Sequence, residues 1–543
     1  LPGNCKFEDR ALENALSSKI ELRMYKVISL LILFFFEMAI PFQAQSQITF
    51  NRRLNFGSLA AILTGIVSTD SCYYATGVIA DTVFPYSASN LFVKFDLEGT
   101  VIFKKTIASP GKSYEAWENT LIPLEYGGFA LSGYAIDSLM RAMFIKYDSD
   151  GDMVFFKEYF NPNYPLEDYL RPFDMKQTPD GGFVMASWLG TLDEGNTDIS
   201  ILKLDSLGNE EWHKIYGTPF RERPESIIVT ENGDIIVGAQ RNNTNMAVED
   251  YTYTTWIFGL NSQGGHQWSY FSPFGVLRDA ANDMILLGDG SLLIASGIGT
   301  EYDWPSVNVV YFEKYILKLD PNKNKEWEME FQGQYPSSLT RTSNLILTGD
   351  GSEFLAAGTS TYVYPIEDSL TRKGWLFKGT ISGDSLWTRE YVFLNNQRSS
   401  HTIYDIKETK DNGFIIAGES FDRTYQDSVP QQAWLLKVDQ YGCLVPGCQL
   451  VGTKEVPLQE MDLVIYPNPV ADYLNFYLNA DSGQIGKGQF QIMDMTGKQK
   501  ALFDSHSPGT TFIVPVMDYP AGTYVLQYLE RGIVKTSKLF IVP

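Results

Sequence analysis

Chemistry in this chain would have to come from a thin set of residues. It has four histidines, His213, His266, His401 and His506, and no two stand at a spacing that aims both rings at one ion, so no zinc site is expected. His401 opens an apolar strand on the side of the long connections and is the histidine placed as a binding-site residue. The stretch "DSDGD" at residues 148–152 sets acids at alternate positions that could offer oxygens to calcium, but no glutamate follows to complete such a loop. It also stands where "DSLGN" and "NSQGG" stand elsewhere, so it reads as a turn. Paired carboxylates for glycoside hydrolysis are defined by a separation of roughly 5 to 10 Å in space, which spacing along a chain does not give. No catalytic residue, metal site or cofactor is therefore assigned.

Aromatic side chains are the richer resource. Tyr251, Tyr253, Tyr302, Trp304, Tyr362, Tyr364 and Tyr425 fall among Asp, Glu and Asn in the long segments between apolar strands. Ring faces beside carboxylates and amides suit a sugar or a protein partner, and equally suit packing of the segments themselves. Cys443 and Cys448 enclose "LVPG", a turn that would let them close a small disulfide loop in an oxidising compartment. Cys72 reads as a small buried hydrophobe.

These residues need a scaffold, and the composition says which kind. Aromatic content of 14% with 45 glycines and 25 prolines suits short strands joined by tight turns, so the fold class expected is all-β. A net charge of −22 opposes binding to a polyanion, which excludes nucleic acid as the expected partner.

An apolar run leading into a polar residue and a turn recurs as "LFVKFDLEG", "MFIKYDSDG", "SILKLDSLG", "WIFGLNSQG", "YILKLDPNK", "WLFKGTISG" and "WLLKVDQYG". The anchors Asp96, Asp148, Asp205, Asn261, Asp320, Thr380 and Asp439 lie 52 to 60 residues apart, a blade-sized period. Upstream of each anchor stands a second turn and strand, as in "DGGFVMAS" and "NGFIIAGE", and downstream a fourth strand, as in "EEWHKIYG". Four antiparallel strands per repeat make a propeller blade, and the repeats predict a seven-bladed β-propeller over residues 47–450. The last repeat lacks its fourth strand, so residues 48–56 are expected to supply it by pairing near Trp434 to Val438. Short turns then lie on one face, and the other carries the long connections at 81–90, 240–255, 299–314, 359–374 and 419–432, where recognition is expected.

At the other end of the scale are segments that address the protein. Residues 24–46 have a basic start at Lys26, an apolar run from Val27 and small residues at Ala44 and Ser46, which reads as a secretory signal cut before Gln47. Residues 1–23 before it read as an upstream non-native extension. From about Met461 the rhythm changes to "YPNPVADYLNFYL", "GQFQIMDMTGKQ" and "YPAGTYVLQYLERGIVKTSKLFIV", with a linker at 451–461. Tyr466-Pro467-Asn468-Pro469, Gly497, Gly522 with Tyr524, and Lys535 in the closing strand follow an order that resembles the type A C-terminal sorting domain of the Bacteroidetes type IX secretion system.

That resemblance implies a small immunoglobulin-like sandwich at 462–543, recognition by the outer-membrane translocon, and removal by the system's sortase-like peptidase. It places the protein outside the cell, secreted or on the outer surface, after passage through the periplasm. The blade unit "LDSLGNEEW" is similar to the repeats of quinoprotein propellers and to the sialidase Asp-box, but matches neither fully, so only the architecture carries over. Thr82, Ser138, Ser369 and Ser428 each sit in an Asp-hydroxyl-aliphatic tripeptide that resembles the O-glycosylation sequon of exported Bacteroidetes proteins.

The function expected is that of a monomeric propeller binding a glycan or a surface protein through its long-loop face. A glycan-active hydrolase or lyase on that face and a structural or adhesive surface component are the alternatives. Converging acids with raised pKa values in one central place would favour the enzyme.

Overall fold

The computed structural model describes residues 47–543 apart from 81–86, 119, 161–167, 192–196, 220, 243–252, 273–279, 305–306, 332–340, 365–368, 396–397, 425–428, 446–447, 451–461, 480–487, 496–497, 505–510 and 531–532. The upstream extension, the signal segment and the linker assigned above lie outside the described residues. The chain divides into two compact units after Pro446. Among the described residues there is no α-helix, and no helix is long and apolar enough to cross a membrane.

The first unit repeats one motif, an antiparallel meander of four strands. Ala61–Ser68, Tyr73–Ala80, Ala88–Phe95 and Val101–Ile107 form the first such sheet. Meanders of the same order begin at Asp168, Arg221, Asp283 and Arg341. In the group before Asp168, Ser113–Glu115 and Leu121–Pro123 share the place of the first strand, both pairing with Phe129–Ile136. The last group has Ser399–Glu408, Phe414–Asp422 and Gln431–Val438, and its fourth strand is Phe50–Leu54. Its register runs from Phe50 opposite Lys437 to Leu54 opposite Ala433, the pairing expected from the sequence.

Each anchor builds the same turn. Asp205 Oδ1 accepts the N–H groups of Leu207 and Asn209 at 2.8 and 2.7 Å, and Gly208 sits at φ +74°, the left-handed region that glycine adopts without cost. Asp148 does the same with Asp150 and Asp152 at 3.0 and 2.8 Å, so "DSDGD" is a turn of this series.

Between groups the contact is apolar and continuous. Ala61, Leu63, Ile66 and Tyr73 of the first group share a core with Ile415, Ala417, Ala433 and Leu435 of the last. Alternating strand residues feed such cores on both faces of each sheet, which is why the strands read as nearly unbroken apolar runs.

Two expected loops are strands. Leu292–Trp304 and Val307–Leu319 pair up to Trp304 opposite Val307, and Glu353–Tyr364 and Ser369–Thr380 pair up to Tyr364 opposite Ser369. The segments 299–314 and 359–374 are therefore the outer halves of long hairpins. Their β-branched and aromatic residues complete ladder pairs that the intervening Asp, Pro and Ser had disguised.

The second unit is a two-sheet β domain. Asp462–Tyr466, Tyr473–Asn479 and Phe512–Pro515 form one sheet; Gly488–Asp494, Gln499–Asp504, Gly522–Glu530 and Ile533–Val542 form the other. Leu463, Phe476, Phe490, Leu526 and Phe540 meet in its core. Asn468 ties the "YPNP" segment to the last strand, donating to Leu539 O at 3.1 Å and accepting from Ile541 N at 2.9 Å. Tyr524 is buried, and its hydroxyl donates to Pro520 O at 2.6 Å. Gly522 opens the strand that carries Tyr524, Lys535 lies in the final strand, and Gly497 is outside the described residues.

Candidate functional site

Of the aromatic residues singled out from the sequence, Tyr362 is the one whose side chain is among the described residues. Tyr251 and Tyr425 lie outside the described residues, as do Thr82 and Ser428. Tyr253 opens its strand, Tyr302 and Trp304 lie opposite Val309 and Val307 near the tip of one hairpin, and Tyr364 ends the first strand of the next. Tyr362 donates its hydroxyl to both oxygens of Glu390 at 2.8 Å, with the Lys373 ammonium 4.4 Å from its ring. Ser138 is exposed in a turn where Asp137 accepts its N–H at 2.6 Å, and Ser369 starts a strand. Cys443 and Cys448 are disulfide-bonded, and Cys72 is a buried free thiol.

His401 is no surface residue. It is fully buried, its Nε2 accepts the N–H groups of Phe393 and Leu394 at 3.0 Å each, and its Nδ1–H donates to Arg372 O at 3.1 Å. Those partners fix the neutral tautomer. Burial pulls its pKa from the ordinary 6.5 to about 4. The unfolded chain takes up a proton first as pH falls below about 6.5, so the stability contributed by neutral His401 is present at neutral pH and lost as pH falls through about 4. His401→Leu strands two buried donors and an acceptor, and urea unfolding at pH 7 should show a loss of about 2–4 kcal/mol.

The groups are joined at their first strands by a repeated clasp. Asp174 Oδ2 accepts the N–H of Ile227 in the next group at 2.7 Å, while its Oδ1 accepts its neighbour Met175 N at 2.7 Å and Lys176 Nζ at 2.6 Å. Asp283 bridges Met284 N and Leu345 N at 2.9 and 2.8 Å in the same way. Asp405 bridges Ile406 N and, from the last group to the first, Ile66 N, both at 2.8 Å, with Lys407 Nζ at 2.5 Å. Elsewhere the same position holds Ser226, which donates to Ala281 O at 2.8 Å, and Asn344, which donates to Tyr404 O at 3.1 Å. Gly65 fills it in the first group because a Cβ there would lie 3.1 Å from Leu121 Cβ.

Burial drives the Asp283 carboxyl up to about 7 and raises Asp174 as well. Lys176 feels Asp174, Asp283 and Asp405 together, so the three carboxylates share one neighbourhood. The acids that converge are thus already engaged with backbone N–H groups, which makes them structural before anything else.

Immediately before the clasp position the strands bulge. Thr64, Phe173, Glu225, Ser343 and Tyr404 are each skipped by the ladder, and a bulge re-aims the side chain it carries. Around them the incoming ends of the first strands bring Trp117, Arg171 and Arg223. Trp117 Nε1 donates to Tyr134 Oη at 2.7 Å and to Glu115 Oε2 at 3.1 Å, and Tyr134 donates to that same oxygen at 2.7 Å. The Arg171 guanidinium lies 5.7, 5.1 and 5.0 Å from the ring centres of Trp117, Tyr134 and Phe173.

Arg223 sits 5.4 Å from the Phe173 ring centre and pairs with Glu225, its Nε donating to Oε1 at 2.5 Å. Tyr404 stands edge-on to Trp117 at 6.0 Å, so the last group reaches past the first strand of the first group. This aromatic and arginine cluster was not expected from the sequence. The signal that carried it was "RPFD" and "RPES", where Pro172 and Pro224 stand just before the bulges, a position within a sheet that tolerates the missing N–H.

No curated protein sequence matches the chain. Among solved structures, the BP39L lectin from Burkholderia pseudomallei is 9% identical, with 71% of this chain and 98% of that one covered at a TM-score of 0.42. An alpha-L-arabinanase from Penicillium chrysogenum complexed with arabinobiose is 10% identical, covering 61% and 94%, at 0.38. The WD40 domain of SCAP from fission yeast is 8% identical, covering 74% and 100%, at 0.31. Likeness this distant carries no functional argument. The match that does is in the second unit, where residues 464–542 fit the secretion system C-terminal sorting domain, the segment in which "YPNP" is tied to the final strand. The chain is a type IX secretion cargo protein, exported to the cell surface or released from it.

Proposed function

We propose that the exported protein is a monomeric seven-bladed β-propeller over residues 47–450 that binds an extracellular glycan or protein at the end carrying its longer connections. The clasps that run from group to group, including Asp405 to Ile66, support a closed ring, as does the strand Phe50–Leu54 in the last sheet. On this reading the signal leaves before Gln47, and the sorting domain leaves within 451–461 through the translocon's peptidase. The observation that carries the binding role is the cluster of Trp117, Arg171, Phe173 and Tyr404, rings and a guanidinium from separate groups brought to one place beside the bulges.

A second reading, a glycan-active hydrolase or lyase, is favoured by Asp283, because a carboxyl pushed to about 7 suits proton transfer near neutral pH. The two backbone N–H groups on its oxygens count against that role and favour the binding module. A screen of glycans and surface proteins with the full chain separates the two. Binding without turnover that Trp117→Ala weakens tenfold or more is the expected result, in line with the weight of a central aromatic anchor. Turnover abolished by Asp283→Asn would favour the enzyme, and binding untouched by Trp117→Ala would move the site elsewhere.

A further inference from the structure

We infer that the ligand is an acidic saccharide, its carboxylate held by Arg171 and its ring laid on the Trp117 indole. This rests on the binding reading above and adds the ligand's chemistry. Arg171 is surrounded by three rings, yet its buried Nε has no hydrogen-bond acceptor among the described residues. The neighbouring acids are already engaged: Glu115 by Tyr134 and Trp117, Glu225 by Arg223. Ring faces hold a guanidinium in place and in plane, and a guanidinium held so suits a carboxylate in a bidentate pair.

The rest of the cluster selects a sugar over a protein surface. Trp117 has its only donor spent on Tyr134 and Glu115, which locks the indole and leaves it as an apolar platform. Tyr404 meets that indole from the last group while Arg171 meets it from the group beginning at Asp168, so side chains of different groups crowd one small place. Such a place admits the end of one oligosaccharide and orients it by a few polar contacts. Rigid rings also lose little freedom on binding, which favours affinity for a small ligand.

The experiment compares oligosaccharides that differ only in oxidation at C6, a glucuronate trimer against cellotriose and a galacturonate trimer against its neutral galactose counterpart. Titration calorimetry on the full chain should give an affinity for at least one acid tenfold or more above its neutral partner, the weight of a charge-assisted hydrogen bond. Arg171→Gln should erase that preference, and Trp117→Ala should weaken both partners. If Arg171→Gln does not fold, Arg171→Lys decides, since it keeps the charge and loses the fork, and a reduced preference is expected. Equal affinity for acid and neutral sugar, or a preference that survives Arg171→Gln, overturns the acidic ligand and leaves the binding module standing. Binding of neither sugar overturns the saccharide; if the protein-partner screen is also empty, the binding module falls with it. Tighter binding of polyglutamate than of either acid overturns the saccharide alone.

Discussion

Replacing Asp405 with alanine should destabilise the first unit by about 3–5 kcal/mol, the penalty for leaving two buried N–H groups without their acceptor. The Asp405 side chain is 2% exposed and does three things at once: it holds Ile406 N, reaches Ile66 N in the first group, and neutralises Lys407. Its loss strands two buried N–H groups at the seam between the last group and the first. Asp283→Asn should cost far less at pH 7, about 1 kcal/mol or under, because Asp283 has Ile285 where the other two clasps have lysines. Its carboxyl is already pushed to about 7.

The pH dependence carries the same contrast. An acid whose folded pKa is raised stabilises the fold below its ordinary value and loses that contribution as pH rises through the folded value. For Asp283 the window runs from about pH 4 to about pH 7, so Asp283→Asn should flatten the decline in stability across it. Chemical unfolding of wild type, Asp405→Ala and Asp283→Asn at pH 5 and pH 8 measures both effects. Equal losses for the two variants at pH 8 would contradict the clasp.

The second large effect concerns the strand that closes the last sheet. Deleting residues 47–56 removes five ladder pairs and the bonds around them. Trp434 Nε1 loses Asn51 Oδ1 at 2.6 Å, Val392 O loses Asn51 Nδ2 at 2.9 Å, and Pro430 O loses Arg53 Nη2 at 2.7 Å. The edge from Ala433 to Lys437 is then bare, and a bare edge recruits another chain. The truncated protein should self-associate on size exclusion, with Trp434 fluorescence shifted to the red, and a synthetic peptide of residues 47–56 should restore the monomer. A truncated chain that stays monomeric and keeps the buried Trp434 signal would show that this strand does not complete the sheet.

How much of this was legible depends on which physical feature wrote it. The anchors could be read because one Asp, Asn or Thr side chain accepts the N–H group four residues on in each turn and a residue with positive φ follows, so the same few residue types recur at blade spacing. The closing strand could be read because the last repeat ends in "YGCLVPGC" and the first is preceded by an alternating apolar run, and a sheet edge needs a partner. Residues 464–542 could be read because the sorting domain carries its motifs in the sequence itself.

The long hairpins could not, because Asp303 and the residues after Trp304 interrupt the alternation that marks a strand, and the pairing that overrides them is tertiary. The cluster around Arg171 was hidden for a different reason. A single skipped residue shifts every later side chain to the other face, and nothing in the period of "YLRPFDMK" announces the skip between Pro172 and Asp174. His401 misled for the complementary reason: its place at a strand opening suggested access, while the backbone of 393–394 folds over its ring.

Hydrogen exchange on the full chain tests the closed ring most directly, since the clasp at Asp405, the contact of Tyr404 with Trp117 and the binding role proposed for that cluster all depend on it. The account predicts that amides of Phe50–Leu54 and of Gln431–Val438 are protected together, in one cooperative class with the amide of Ile66. Free exchange of Phe50–Leu54 and Ile66 beside a protected Gln431–Val438 would mean that the last group does not close on the first, and would contradict it.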